Sequence, residues 1–140
     1  MPEESTTPDL EELARLGIEA LNRRDFDALL PYASPNLVYD TTPSGFGVYE
    51  GMPAIREFIE GYWEIFDELA FELAEFVDLG NGMTFAVNRQ RAVPLGSTAH
   101  VQVWEAHVTE WRDGLAVRIT VYTDIDQARA AAERLAEEPG

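Results

Sequence analysis

The sequence predicts an α+β fold in which helices cover one face of a strongly curved antiparallel sheet, leaving a cone with one open end. Two observations carry this. Helical patterns fill the first half of the chain, and strands joined by hairpins fill the second. Two tight-turn signals, Gly80-Asn81-Gly82 and Asp113-Gly114, sit between alternating runs. A length of 140 residues with 46% hydrophobic content suits one domain around one core. Residues 1–8 read as a tail and 9–138 as the domain.

The elements come in order. Thr7 and Pro8 fit a helix N-cap and first-turn proline, with Asp9, Glu11 and Glu12 at the positive helix end. Leu10, Leu13, Ala14, Gly17, Ala20 and Leu21 recur at helical spacing, so this helix is expected to run to Arg23 or Arg24. Asp25 caps a short second helix that Pro31 shortens. Pro35-Asn36 breaks the chain before a strand from Leu37 to Thr41. A loop, Thr42 to Gly51, leads to a helix with Ile55, Phe58, Ile59, Tyr62, Trp63 and Phe66 on one side. Strands are then expected over Leu69–Leu79, Met83–Val93, Ala99–Arg112 and Leu115–Thr123. On the first of these, Leu69, Phe71, Leu73 and Val77 share a face. Asp124 and Gln127 resemble a capping box for a final Ala-rich helix.

Charge narrows the function. The net charge of -16 repels phosphate backbones and anionic lipid, so neither nucleic acid nor membrane is an expected partner. No apolar run reaches membrane-spanning length, and the acidic N-terminus does not read as a signal peptide. A chain without cysteine has no thiolate metal site and no disulfide framework, and a cytoplasmic location is the simplest expectation. Phosphate loop, dinucleotide fingerprint and nucleophile elbow are all missing. Neither a metal nor a cofactor is expected.

Candidate chemistry lies on the strands. Asp40 ends the run Leu37-Val38-Tyr39-Asp40, where a carboxylate in a dry pocket can act as a base. Glu105 and His107 alternate on one strand, and Glu105 can orient the imidazole. Arg89 and Arg91 alternate with Phe85, Val87 and Val93, which points them inward as a clamp for an oxyanion or as a buried ion pair. Asp40, His107 and Arg89 are the catalytic candidates. Glu105, Arg91, Tyr39, Phe58, Tyr62 and Trp63 are the substrate-binding candidates, the aromatics forming an apolar wall. His100, Gln102 and Trp104 lie on the opposite strand face and are expected at a homodimer surface.

The order and spacing of several segments resemble the SnoaL-like group of the nuclear transport factor two-like superfamily. They are Ala20-Leu21-Asn22-Arg23-Arg24-Asp25-Phe26-Asp27-Ala28-Leu29, Leu37-Val38-Tyr39-Asp40, Tyr49-Glu50-Gly51-Met52-Pro53-Ala54-Ile55-Arg56-Glu57-Phe58, Trp111-Arg112-Asp113-Gly114 and Tyr122-Thr123-Asp124. The resemblance covers roughly residues 9 to 130. It implies the cone-shaped fold and a range of activities: polyketide cyclases, steroid isomerases, epoxide hydrolases, dehydratases and binding domains. It places Asp40 at the isomerases' general base and His107 near their oxyanion-stabilising aspartate. Their oxyanion tyrosine falls near Gly17, which counts against a steroid isomerase. Arg89 beside carboxylates is similar in residue type to the limonene-type epoxide hydrolases. The expected function is a cofactor-independent cyclase, isomerase or dehydratase acting on a small hydrophobic carbonyl compound. A binding module is the alternative, and an epoxide hydrolase in which Asp40 activates water is a further one.

Overall fold

The computed structural model describes residues 9–137. Helix α1, Leu10–Asn22, is capped by Asp9, whose carboxylate accepts from the amides of Glu11 and Glu12. The tail expected over residues 1–8, and with it the Thr7–Pro8 cap, lies outside the described residues. The cap observed is Asp9. Asp25 caps the next segment as expected, but Phe26–Tyr32 is a 3-10 helix.

Strand β1, Ala33–Asp40, begins earlier than Pro35 suggests, and its pairing shifts between Ala33 and Val38. The loop after it holds a 3-10 turn, Thr42–Ser44, and a short strand β2, Val48–Glu50. Helix α2, Met52–Glu64, comes next. Strands β3 (Phe66–Gly80), β4 (Met83–Pro94), β5 (Val101–Arg112) and β6 (Leu115–Tyr122) precede helix α3, Ile125–Glu137. The sheet order is β2-β1-β6-β5-β4-β3. All neighbours are antiparallel except β1 and β6, which run parallel, so the sheet is mixed at that seam.

Each face of the sheet carries a buried core. On the concave side, α1, α2 and the first 3-10 helix enclose Phe26, Leu37, Ile55, Trp63 and Ala116. On the convex side, α3 lays Ala128, Ala132 and Ala136 against Met83, Phe85, Val87, Ala106 and Val108. Alanines let the helix approach closely. Asp124 caps α3 through the amide of Gln127.

Two irregularities set which residues face where. Leu73 pairs with Asn88 and Glu75 with Val87, so Ala74 is an extra residue in β3. Leu69 therefore packs in the concave core, whereas Val77 packs under α3. The expectation that Val77 shares a face with Leu69, Phe71 and Leu73 fails for this reason. A second shift between Glu110 and Trp111 turns Trp111 and Ala116 together into the concave core.

The β3–β4 hairpin depends on glycine. Gly82 has φ 77°, and a Cβ there would stand 2.6 Å from the Trp111 carbonyl oxygen. Asn22 secures the sheet's outer edge: its side-chain amide donates to the Phe71 carbonyl (3.0 Å) and accepts from the Phe71 amide (2.7 Å).

Candidate active site

A cavity of about 220 Å³ lies between the concave face and the helices. It exceeds the roughly 150 Å³ that accommodates benzene in an apolar core. Helix α1 contributes Leu13, Gly17 and Leu21, and α2 contributes Phe58, Tyr62 and Trp63. Gly17 reaches the wall without any side-chain donor. Tyr39, Phe58, Tyr62 and Trp63, all expected at the site, line this wall. Phe58 stacks on Tyr49 at 4.3 Å and contacts Tyr39 at 6.1 Å between ring centroids. Phe46, 56% exposed, stands against Phe58 and also lines the cavity.

The floor is where polar chemistry gathers. Alternation along β5 turns Glu105, His107 and Thr109 into the cavity, and alternation along β4 turns in Thr84, Ala86, Asn88 and Gln90. His107 lies across from Ala86, and Glu105 across from Asn88. His107 Nε2 stands 3.7 Å from Glu105 Oε1, beyond hydrogen-bond reach, and has no hydrogen-bond partner among the described residues. The side chains of His107 and Glu105 are 21% and 22% exposed, although His107 Nε2 itself is buried.

Tyr39 and Tyr62 feel this floor. Burial pushes the Tyr39 phenol well above its ordinary value, and the Glu105 charge and Tyr62 add to the effect. Burial also raises Tyr62, against a lowering hydrogen bond from Gln90 and with Glu105 raising it further. Both phenols therefore stay protonated through the neutral range, so each can donate a hydrogen bond. Gln90 Nε2 donates to the Tyr62 hydroxyl at 2.6 Å. Trp111 Nε1 donates to Thr84 Oγ1 at 2.9 Å.

Three expected residues are not part of this cluster. Asp40 points to the other side of β1, because Leu37, Tyr39 and Thr41 take the cavity side. Its carboxylate pairs with Arg118 at 2.7 Å and accepts from the Thr42 amide and hydroxyl. Desolvation pushes this carboxyl up, but the Thr42 hydrogen bonds and Arg118 outweigh it and leave it below the usual range. That is a poor setting for a base, and it gives the reading of a water activated by Asp40 no geometric support.

Arg89 and Arg91 also face outward. Arg89 pairs with Glu72 and lies 5.8 Å from the Trp104 ring centroid, while Arg91, 61% exposed, reaches Glu72 at 3.8 Å. They do share the parity of Phe85 and Val87, but that face is the convex one beneath α3. Asn88 and Gln90 are cavity residues that the sequence reading misses. Their signal is Thr84-Ala86-Asn88-Gln90, a small and polar stripe at every second position of an otherwise apolar strand.

Asp40→Asn is accordingly expected to leave turnover unchanged and to alter acid stability. The folded carboxyl titrates below its ordinary 3.8, so its contribution is complete above that pH and is lost as pH falls through the folded value. The variant is expected to lose about 1 kcal/mol at neutral pH, since the exposed guanidinium is screened by water. Its acid unfolding limb should be flatter, as read by urea titrations between about pH 2 and about pH 7.

Among the described residues, no three His, Cys, Asp or Glu side chains group as a metal site requires, and no helix is long and apolar enough to cross a membrane. No curated protein matches the chain. Solved structures do. An NTF2-like protein of unknown function from Burkholderia pseudomallei has a TM-score of 0.73 at 18% identity, covering 90% of this chain and 98% of its own. A hypothetical protein with a ketosteroid isomerase-like fold from Catenulispora acidiphila, in complex with trimethylamine, has a TM-score of 0.72 at 13% identity, with coverages of 91% and 94%. A Shewanella putrefaciens protein that carries the name SnoaL-like polyketide cyclase gives 0.68 at 12% identity, with coverages of 92% and 98%. These identities establish a shared fold and no activity. The sequence itself matches the SnoaL-like domain over residues 14–119, and with the cone, the helical cover and the α3 cap in place, the chain belongs to that family.

Proposed function

We propose that this protein is a cofactor-independent acid–base enzyme acting on a small hydrophobic carbonyl compound. The observation that carries this reading is His107 Nε2, buried in the cavity floor without a hydrogen-bond partner among the described residues, beside Glu105 and beneath an aromatic wall. His107 takes a proton from the carbon next to the carbonyl. Tyr39 donates a hydrogen bond to the enolate oxygen that forms. Glu105 stabilises the imidazolium. The proton then returns to a different atom, which gives isomerisation, or leaves with a hydroxyl, which gives dehydration. Attack of the enolate carbon on a second carbonyl of the same molecule, whose C=O π bond opens and whose oxygen takes the proton back from His107, gives cyclisation. Positive and negative charge arise together, so no external cation is required.

The fold neighbours support a small-molecule site, since one of them was seen with trimethylamine. The test is exchange. Small aryl ketones incubated with the protein in D2O should lose their α-proton NMR signals faster than with buffer, and His107→Gln should remove the difference. Binding without exchange across a ketone panel would favour the binding-module reading instead.

The same proposal includes a homodimer formed through the convex face near Trp104, which is 42% exposed. Light scattering should give twice the chain mass for the parent and one chain mass for Trp104→Glu. A parent running as one chain would remove the dimer from the proposal.

A further inference from the structure

We propose that the cavity selects a substrate whose polar head is an uncharged or cationic hydrogen-bond donor, a hydroxyl or an amine, and rejects carboxylates of the same shape. This rests on the reading of the cavity as a substrate site and deepens it.

Among the described residues lining the cavity, Glu105 is the only acidic side chain, and no lysine or arginine joins it. The nearby arginines are engaged elsewhere: Arg89 and Arg91 with Glu72, Arg118 with Asp40, Arg56 with Asp27 and Glu60. Two carboxamide oxygens near Glu105 add acceptors. Asn88 lies directly across from Glu105, and Gln90 two residues further along β4. Each is 3% exposed, and Asn88 Oδ1 and Gln90 Oε1 have no hydrogen-bond partner among the described residues. The Gln90 nitrogen is already given to Tyr62.

Buried acceptors without partners are what a donor-bearing ligand repairs. An anion placed there meets like charge in a water-poor space, where the repulsion is poorly screened. The opposing donors, the Tyr39 and Tyr62 hydroxyls and Asn88 Nδ2 among them, carry no formal charge, and a protonated His107 has Glu105 beside it to offset its own. The rings of Tyr39 and Tyr62 add faces that favour a cation over an anion.

Three probes of one shape test this: 2-phenylethanol, 2-phenylethylammonium and phenylacetate. Their dissociation constants are measured at pH 7 by calorimetry, and His107 ring shifts in NMR report whether each occupies the cavity. Phenylacetate is expected to bind at least ~10-fold more weakly than the other two, since like-charge juxtaposition is strongly unfavourable. In Glu105→Gln the gap should narrow. In Asn88→Asp, a second variant should Glu105→Gln fold poorly, it should widen. Phenylacetate binding as tightly as the alcohol, or a gap unchanged in both variants, would overturn the inference and leave the substrate-site reading standing. If none of the probes shifts the His107 ring, the substrate-site reading fails and the inference with it.

Discussion

Replacing His107 with glutamine is expected to lower kcat by about 10²–10⁴-fold, the range that a positioned general acid or base supplies. The fold should survive. Among the described residues the imidazole makes no hydrogen bond through Nε2, and Glu105 is beyond bonding distance, so little structure depends on it. Glutamine keeps a polar side chain of similar reach but cannot accept and release a proton near neutral pH. The loss should fall on kcat more than on KM, because the apolar wall proposed to bind the substrate is untouched. Steady-state kinetics with a ketone substrate, together with thermal unfolding, separate the two effects. Turnover within threefold of the parent (roughly 0.6 kcal/mol, too small for proton transfer) would remove His107 from the chemistry.

Phe85→Ala is expected to have the opposite profile. Phe85 is 1% exposed in the convex core, with Arg129 standing 4.6 Å over its ring. Removing the ring leaves a cavity under α3 and costs about 3–5 kcal/mol. That is a large share of a domain's total, typically about 5–15 kcal/mol. The concave floor should be little disturbed, because the side chains at 84, 86 and 88 project the other way. The folded variant should therefore bind ligand as the parent does, while its urea midpoint falls sharply. A drop below about 1 kcal/mol would mean that α3 adds little to the fold.

The order of elements is legible in the sequence because its signals are local. Glycine at 80 and 82 and the Asp113-Gly114 pair mark hairpins wherever they occur, and Asp25 and Asp124 cap the helices that they precede. Strand parity is harder to read. Period-two spacing says which residues share a face but not which face is the cavity. Every residue from Met83 to Asn88 is buried, because α3 covers one side and the cavity lies on the other. Hydrophobicity therefore gives no contrast, and the apolar set of Phe85 and Val87 looks like the inner one. Asp40 escapes the sequence reading for a related reason: Tyr39 takes the inward position, and Arg118, far along the chain, supplies the outward partner. Glu105 and His107 are legible because two ionisable residues on one face of an otherwise mixed strand need a destination.

The single extra residue at Ala74 acts as a phase shift in β3. Before it, odd-numbered side chains such as Phe71 and Leu73 look into the cavity. After it, the even-numbered Phe76 does, and Val77 and Leu79 pass to the helix side. One strand thus reads in two frames and serves two unrelated packing problems. Exchanges at Phe71 or Leu73 reshape the ligand chamber and leave the α3 seat alone, whereas exchanges at Val77 or Leu79 do the reverse. Deleting Ala74 itself would leave Leu73 opposite Asn88 and Phe76 opposite Ala86, so both halves would keep their faces in a regular ladder. A residue gained or lost within a paired stretch would instead slip the side chains beyond it to the opposite face, so the extra residue marks a place where the strand's length can change without rewriting its packing.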